Sequence, residues 1–340
     1  MKKNKAMRAA GVLVIATLLT TCLTAGTFAK YTTTDSATDS ARVAKFGVTV
    51  VANGSLYGSA YAANHADTPV VADNTVTVKA SNGDNVVAPG TKNDSGIGFA
   101  VNGKPEVDVK ITGTVEAEDI FLKAGTYATM VKKPAGVVTA ENFDKLTKTE
   151  ELYTKANGTY TKAAAFDANA TDYYVLKDEV TVDNDYYPVV YTYDNNGTKT
   201  DGTINKAAAA IAKKLNGGTA VTGTADENDA NKKIYTVAGY TVKNNTELAT
   251  ALKLSNEKIT WAWAFEKVDN EVVDTTVDAK DTILGNLQAG NTDDRTIVKV
   301  ARGTDSETSD ATVTISSVTD GTDYNLKTNF SVSISVDQVD

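Results

Sequence analysis

Asn329-Phe330-Ser331-Val332-Ser333-Ile334-Ser335-Val336-Asp337-Gln338 alternates apolar and polar side chains without interruption. A period of two puts Phe330, Val332, Ile334 and Val336 on one face and Ser331, Ser333, Ser335 and Asp337 on the other, the pattern of a half-buried antiparallel strand. The alternation recurs upstream, at Val76 and Val78, at Val107, Val109 and Ile111, at Val298 and Val300, and at Val313 and Ile315. Polar turn clusters separate these runs, as in Ser81-Asn82-Gly83-Asp84, Asn102-Gly103-Lys104-Pro105 and Thr319-Asp320-Gly321-Thr322. In Ala88-Pro89-Gly90 the proline sets one turn residue and the glycine supplies positive φ, a structural role. Short alternating strands between polar turns predict an all-β dominated chain, an antiparallel jelly-roll β-sandwich whose sheets bury alternate residues against each other.

Between these runs, residues 120–258 change in composition. Tyr173, Tyr174, Tyr186, Tyr187, Tyr191 and Tyr193 cluster there, with Asn, Asp and Gly between them. Ile204 to Leu215 carries the clearest helix pattern, with an alanine run, Lys213 and Lys214 in its last turn and Gly217-Gly218 as its stop. Glu141 to Leu152 is a weaker helix candidate. The expected organisation is a jelly-roll core from residues 51–119 and 259–340, interrupted by a Tyr-rich α+β insertion at 120–258. No fixed period supports a repeat architecture.

The N-terminal side reads as an export signal. Lys2, Lys3, Lys5 and Arg8 precede an apolar run from Ala9 to Phe28, which ends in the small-residue site Thr27-Phe28-Ala29. Cleavage between Ala29 and Lys30 is expected, removing residues 1–29. Residues 30–50 then form a polar arm that turns strand-like at Val43, Phe46, Val48 and Val50. Without the four basic residues of the signal, 30 basic residues face 43 acidic ones, a net charge of −13. That balance argues against nucleic acid and anionic lipid as partners. Cys22 is the only cysteine and lies inside the signal, so the mature chain has no disulfide although it is exported. Thr21 before Cys22 is a poor fit to a lipidation site, and no second apolar span follows, so no permanent membrane anchor is expected.

Catalytic chemistry finds few residues to work with. His65 is the single histidine, in a polar Asn64-His65-Ala66-Asp67 loop that reads as solvated. Zinc hydrolysis and histidine-dependent nucleophilic catalysis are therefore not expected. Glu116, Glu118, Asp119, Asp293 and Asp294 are acids of the kind a glycosidase pairs, but nothing in the sequence sets two of them across a cleft. Asp226-Glu227-Asn228-Asp229-Ala230-Asn231 starts like a calcium loop, yet it has Asn231 at the sixth position and Val237 at the twelfth, so it is not an EF-hand. No cofactor is expected; a loosely loop-bound calcium ion stays open. Trp261 and Trp263 fall on one strand face with Phe265, and core packing is favoured over an aromatic sugar platform.

Several segments together resemble a known family. The order is basic cluster, apolar run, Gly26-Thr27-Phe28-Ala29, polar arm, Ala41-Arg42-Val43-Ala44-Lys45-Phe46-Gly47-Val48-Thr49-Val50, and Val87-Ala88-Pro89-Gly90 before the strand Ile97 to Val101. With the closing strand Asn329 to Gln338, this is similar to the TasA and camelysin family of biofilm matrix fibre proteins. The likeness covers the two ends of the mature chain and not its Tyr-rich middle. It implies cleavage at Ala29 and Lys30 by a SipW-type signal peptidase, and a non-enzymatic jelly-roll subunit secreted to the matrix of a Gram-positive surface. It also implies head-to-tail polymerisation by donor-strand exchange, in which the arm of one copy completes a sheet in the next. The donor residues carried over are Lys30, Tyr31, Ala37, Ala41, Val43 and Phe46. The implied partners are further copies of the chain, the peptidase and an optional accessory minor fibre subunit. Some members are described as metalloproteases; the shortage of ligands argues against carrying that activity over. The alternative functions are a surface adhesin or carbohydrate-binding module, and a secreted hydrolase.

Overall fold

A computed structural model describes residues 44–54, 56–57, 87–195, 197–264, 267–269, 272–303 and 313–339. The signal segment with Cys22, the arm up to Val43, His65, Val76, Val78, the turn at Ser81 and Phe265 lie outside the described residues.

Every strand pairing is antiparallel, and three larger sheets result. Sheet one runs in the order β1 (Val48–Gly54), β2 (Thr91–Gly103), β13 (Glu257–Trp263), β9 (Val189–Asn195) and β10 (Thr198–Gly202). Sheet two runs β11 (Thr224–Ala225), β12 (Lys233–Val242), β3 (Val109–Glu118) and β19 (Asn329–Gln338). Sheet three runs β17 (Val313–Ser317), β16 (Arg295–Arg302), β5 (Gly125–Lys132), β8 (Tyr173–Val182), β6 (Leu152–Ala156) and β7 (Thr159–Lys162). Two small ribbons pair β4 (Phe121–Leu122) with β18 (Tyr324–Asn325), and β14 (Lys267–Asp269) with β15 (Val272–Asp274). The chain is thus strand-dominated, as its alternation predicts.

Sheets one and two bury their inward residues in one continuous core. Phe99 and Val101 of β2, Tyr191 and Tyr193 of β9, and Ile259, Trp261 and Trp263 of β13 share it with Val109, Ile111 and Val115 of β3 and with Tyr235 and Val237 of β12. Helix α2 (Ile204–Leu215) enters the same core with Ile204, Ala207, Ala208, Ile211, Ala212 and Leu215, a spacing that keeps one stripe inward while its alanines allow close approach to β3 and β12. Its first turn is held by Asp119, which accepts from Ile204 N at 2.8 Å and Asn205 N at 3.2 Å, and by the Thr203 hydroxyl, which accepts from Lys206 N at 3.3 Å. Helices α3 (Leu248–Leu252) and α4 (Thr275–Ala289) add Leu248, Leu252, Ile283, Leu284 and Leu287. Sheet three supports smaller clusters on both faces: Tyr174 packs with Met130 and Tyr153 on one, Tyr173 and Val175 with Phe143 and Leu152 on the other.

Residues 120–258, expected as an insertion, divide between two places. Their β9, β12 and α2 build the main core, with β9 between β13 and the exposed β10, and β12 between β3 and the exposed β11. Their β5 to β8 form sheet three together with β16 and β17 from the C-terminal side. Glu141 to Leu152 is not a helix: only α1 (Phe143–Leu146) winds a single turn, and Leu152 already belongs to β6.

Candidate assembly surface

The alternating run that marks the fold ends up at an edge. β19 pairs with β3 from Asn329 opposite Glu118 to Gln338 opposite Val109 with no register shift, and among the described residues no strand pairs with its other side. Phe330, Val332, Ile334 and Val336 are half-buried against the main core, and Ser331, Ser333, Ser335 and Asp337 are exposed. Edge strands in soluble proteins carry lysine, proline or a bulge that blocks further pairing. β19 has no lysine, proline or bulge over its ten residues, and its one charged side chain, Asp337, sits near its end. Its free amide and carbonyl row is a regular template for another strand. β1 is likewise an edge of sheet one, paired to β2 without a shift, uncharged, and with Val50 41% exposed.

The first described residues after the expected arm lie beside the end of β19. Lys45 N donates to Glu106 Oε2 at 2.8 Å and Glu106 N donates to the Lys45 carbonyl at 2.9 Å. Two residues further, the Asp108 carbonyl accepts from Val339 N at 2.9 Å. The short β2–β3 connection therefore holds both Lys45 and the end of β19. Its other side is stitched to the end of β12, where Asp108 accepts from Lys243 Nζ at 2.7 Å and Asn244 N at 2.8 Å; the lysine, then the backbone N–H, holds that carboxyl below its usual range. Phe46, expected as part of the donor segment, is half-buried against its own subunit's core. Of the expected arm and cleavage residues, Ala29, Lys30, Tyr31, Ala37, Ala41 and Val43 fall outside the described residues.

At the opposite end of β19 a polar knot ties the sheets together. The Thr328 hydroxyl lies 2.8 Å from the Tyr57 hydroxyl and 2.5 Å from that of Tyr191, and donates to the Glu118 carbonyl at 2.9 Å. Burial pushes both tyrosines far above the usual phenol range, so they act as neutral partners at any physiological pH. Leu56, next to Tyr57, accepts from Trp261 Nε1 at 2.6 Å and Asn93 Nδ2 at 3.0 Å. β19 is thus anchored at both ends and, among the described residues, unpaired along its other side.

Compared with known protein families, with curated proteins and with solved structures, the chain matches none. Among the described residues no helix is long and apolar enough to cross a membrane.

The other sequence candidates find structural uses. Trp261 and Trp263 are buried, and Trp263 Nε1 donates to Asp281 Oδ2 at 3.0 Å, so neither offers a sugar platform. Of the tyrosine cluster, Tyr173, Tyr174, Tyr191 and Tyr193 are buried as well. Asp119 caps α2, and burial raises its carboxyl against the opposing bonds from Ile204 and Asn205. Burial also pushes Glu118 up, the Asn325 amide at 2.9 Å opposing it and Asp229 adding to the rise. Glu116 pairs with Lys232 at 2.7 Å, and Asp293 and Asp294 are exposed. The 226–231 loop closes on itself: Asp226 accepts from Asn228 N at 2.8 Å and Asp229 from Asn231 N at 3.1 Å. Among the described residues no group of three His, Cys, Asp or Glu side chains is placed to hold a metal ion. The sequence reading missed that β9 and β12 are framework strands, although Tyr191 and Tyr193 alternate with Thr192 and Asp194, and Tyr235 and Val237 flank Thr236.

Proposed function

We propose that this chain is a secreted structural subunit that assembles head-to-tail into extracellular fibres, the arm of one copy adding as a strand to the edge of the next. The observation that carries this reading is β19, unpaired on one side among the described residues, whose end shares one connection with Lys45, just after the expected arm. Length supports it. The 14 residues 30–43 span roughly 46 Å when extended, against roughly 33 Å for the ten residues of β19. Direction supports it too. An arm folded back from Lys45 along its own β19 would have to run parallel to that strand in a sheet that is otherwise antiparallel, whereas an arm entering a second copy is free to pair antiparallel, the slightly stronger arrangement. A contact between an arm and a different surface does not close on itself, so it propagates as a filament. Residues 1–29 act as the export signal in this reading, and cleavage after Ala29 frees the arm. The fold is of jelly-roll type, and the chain needs no catalytic centre or cofactor.

Negative-stain microscopy of the purified mature protein tests the proposal. Filaments are expected from the protein beginning at Lys30, and a folded monomer from the same protein lacking 30–40. A mature protein that stays monomeric at high concentration with its arm intact would refute it.

A further inference from the structure

One cluster beside the main core holds buried polar groups that are incompletely hydrogen-bonded. Glu257 opens β13 on its inward face, in line with Ile259, Trp261 and Trp263, and is fully buried at 0% exposure. Lys214, in the last turn of α2, sets Nζ 3.0 Å from Glu257 Oε1 and donates to the Lys253 carbonyl at 2.9 Å. The β9–β13 ladder pairs Asp194 with Lys258, so one step further along it Asn195 stands across from Glu257. Cross-strand neighbours of this kind have Cβ atoms about 5 Å apart. Asn195, Tyr193 and Lys214 line one cavity of about 340 Å³ between the β9–β10 hairpin and α2. The Asn195 amide oxygen is buried without a hydrogen bond, whereas Tyr193 and Lys214 both face Glu257, the lysine 3.0 Å from Oε1, in contacts too poorly directed to satisfy its two buried oxygens fully. Buried polar atoms are otherwise hydrogen-bonded almost without exception. A lysine and a side-chain amide lining one cavity, with a buried carboxyl against the lysine, are the groups needed to form an amide bond.

We propose that Lys214 and Asn195 join in an intramolecular isopeptide bond, with Glu257 as the group that moves the protons. Lys214 first passes its ammonium proton to Glu257 across their contact, leaving a neutral amine and a carboxylic acid. The Nζ lone pair then attacks Asn195 Cγ, and a tetrahedral intermediate forms. Glu257 hands its proton to Nδ2 and takes one from Nζ, and the intermediate collapses, re-forming the Cγ=Oδ1 double bond as the Cγ–Nδ2 bond breaks. The departing ammonia takes up that last proton and leaves through the cavity as ammonium, so Glu257 ends as the carboxylate it began. No oxidant, metal or second substrate enters the balance. Burial holds the Lys214 ammonium below the ordinary lysine range while Glu257 opposes that shift, and a lowered value favours the amine that attacks. The link would tie the C-terminal end of α2 to the end of β9 in a mature chain that has no cysteine.

Intact-mass and peptide-mapping mass spectrometry of the purified full chain tests this. The folded protein is expected to be lighter than its sequence mass by one ammonia, and its digest to contain a single branched peptide joining Lys214 to Asn195. Lys214→Arg, Asn195→Ala and Glu257→Gln are each expected to restore the full sequence mass. A wild-type protein at full sequence mass overturns the bond whether or not any variant folds. Loss of water mapped to Glu257 overturns it as well, and persistence of the link in Glu257→Gln overturns the proton-transfer role. None of these readouts depends on fibre formation.

Discussion

Asp281 shows how the core sets the behaviour of a single side chain. It is buried on α4, accepting from the Tyr186 hydroxyl at 2.8 Å and from Trp263 Nε1 at 3.0 Å. Burial raises its carboxyl to about 6, the two hydrogen bonds opposing and Asp278 adding to the rise. The folded state therefore keeps a proton that the unfolded chain has already released over about pH 4 to 6. This contribution to stability is complete below the unfolded value and is lost as pH rises through about 6. Asp281→Asn keeps an acceptor for the indole and a donor for the tyrosine oxygen without the buried charge. Urea unfolding is expected to show the variant equal to wild type near pH 4 and more stable at pH 7 by on the order of 2 kcal/mol. Nothing around Asp281 in the sequence signals this, because Tyr186 and Trp263 reach it from distant elements.

At the scale of elements, α2 is the part most legible in the sequence. Its inward stripe, its basic last turn and its Gly217-Gly218 stop all lie within fifteen residues, and the helix runs from Ile204 to Leu215 as read. Gly217 has φ of +61°, and a Cβ there would come within 2.2 Å of the Tyr240 ring. Gly217→Ala is expected to destabilise by more than about 1 kcal/mol, measured by chemical denaturation, since both the conformation and the space exclude a side chain. The failed helix at Glu141 to Leu152 has the opposite origin. Asn142 turns its amide back to the Val137 carbonyl at 2.7 Å, and Leu152 pairs with Val175 in sheet three, a distant contact that outweighs local propensity. β19 was legible as a strand, but its period of two is the same for an edge and a centre. Its exposed serines allow a test of the edge. Replacing Ser331, Ser333 and Ser335 together by lysine is expected to change stability by less than about 0.5 kcal/mol per site, while charge along the edge blocks strand addition. Thioflavin-free light scattering and microscopy are expected to show folded monomers; filaments of normal length would remove β19 as the acceptor.

Across the whole molecule, the proposed arm exchange predicts that assembly and folding separate. Circular dichroism and thermal melts of the protein lacking 30–40 are expected to match those of the mature monomer, because β1, the Lys45–Glu106 bonds and the β2–β3 connection all lie beyond the deletion. A large loss of folded signal would mean that the arm belongs to its own subunit's core. Strand-rich antiparallel architecture, the position of α2 and the core destination of Trp261 and Trp263 could all be read from the chain. Each depends on periodicity or residue size within a short window, and burial of an alternating face follows wherever the strand is placed. The union of β9 and β12 with β13 and β3, the approach of Lys214 to Glu257, and the pairing of β19 on one side only among the described residues were decided by tertiary folding. Those features depend on which distant strands become neighbours, a choice made by the packing of all three sheets together, of which no local stretch carries a record.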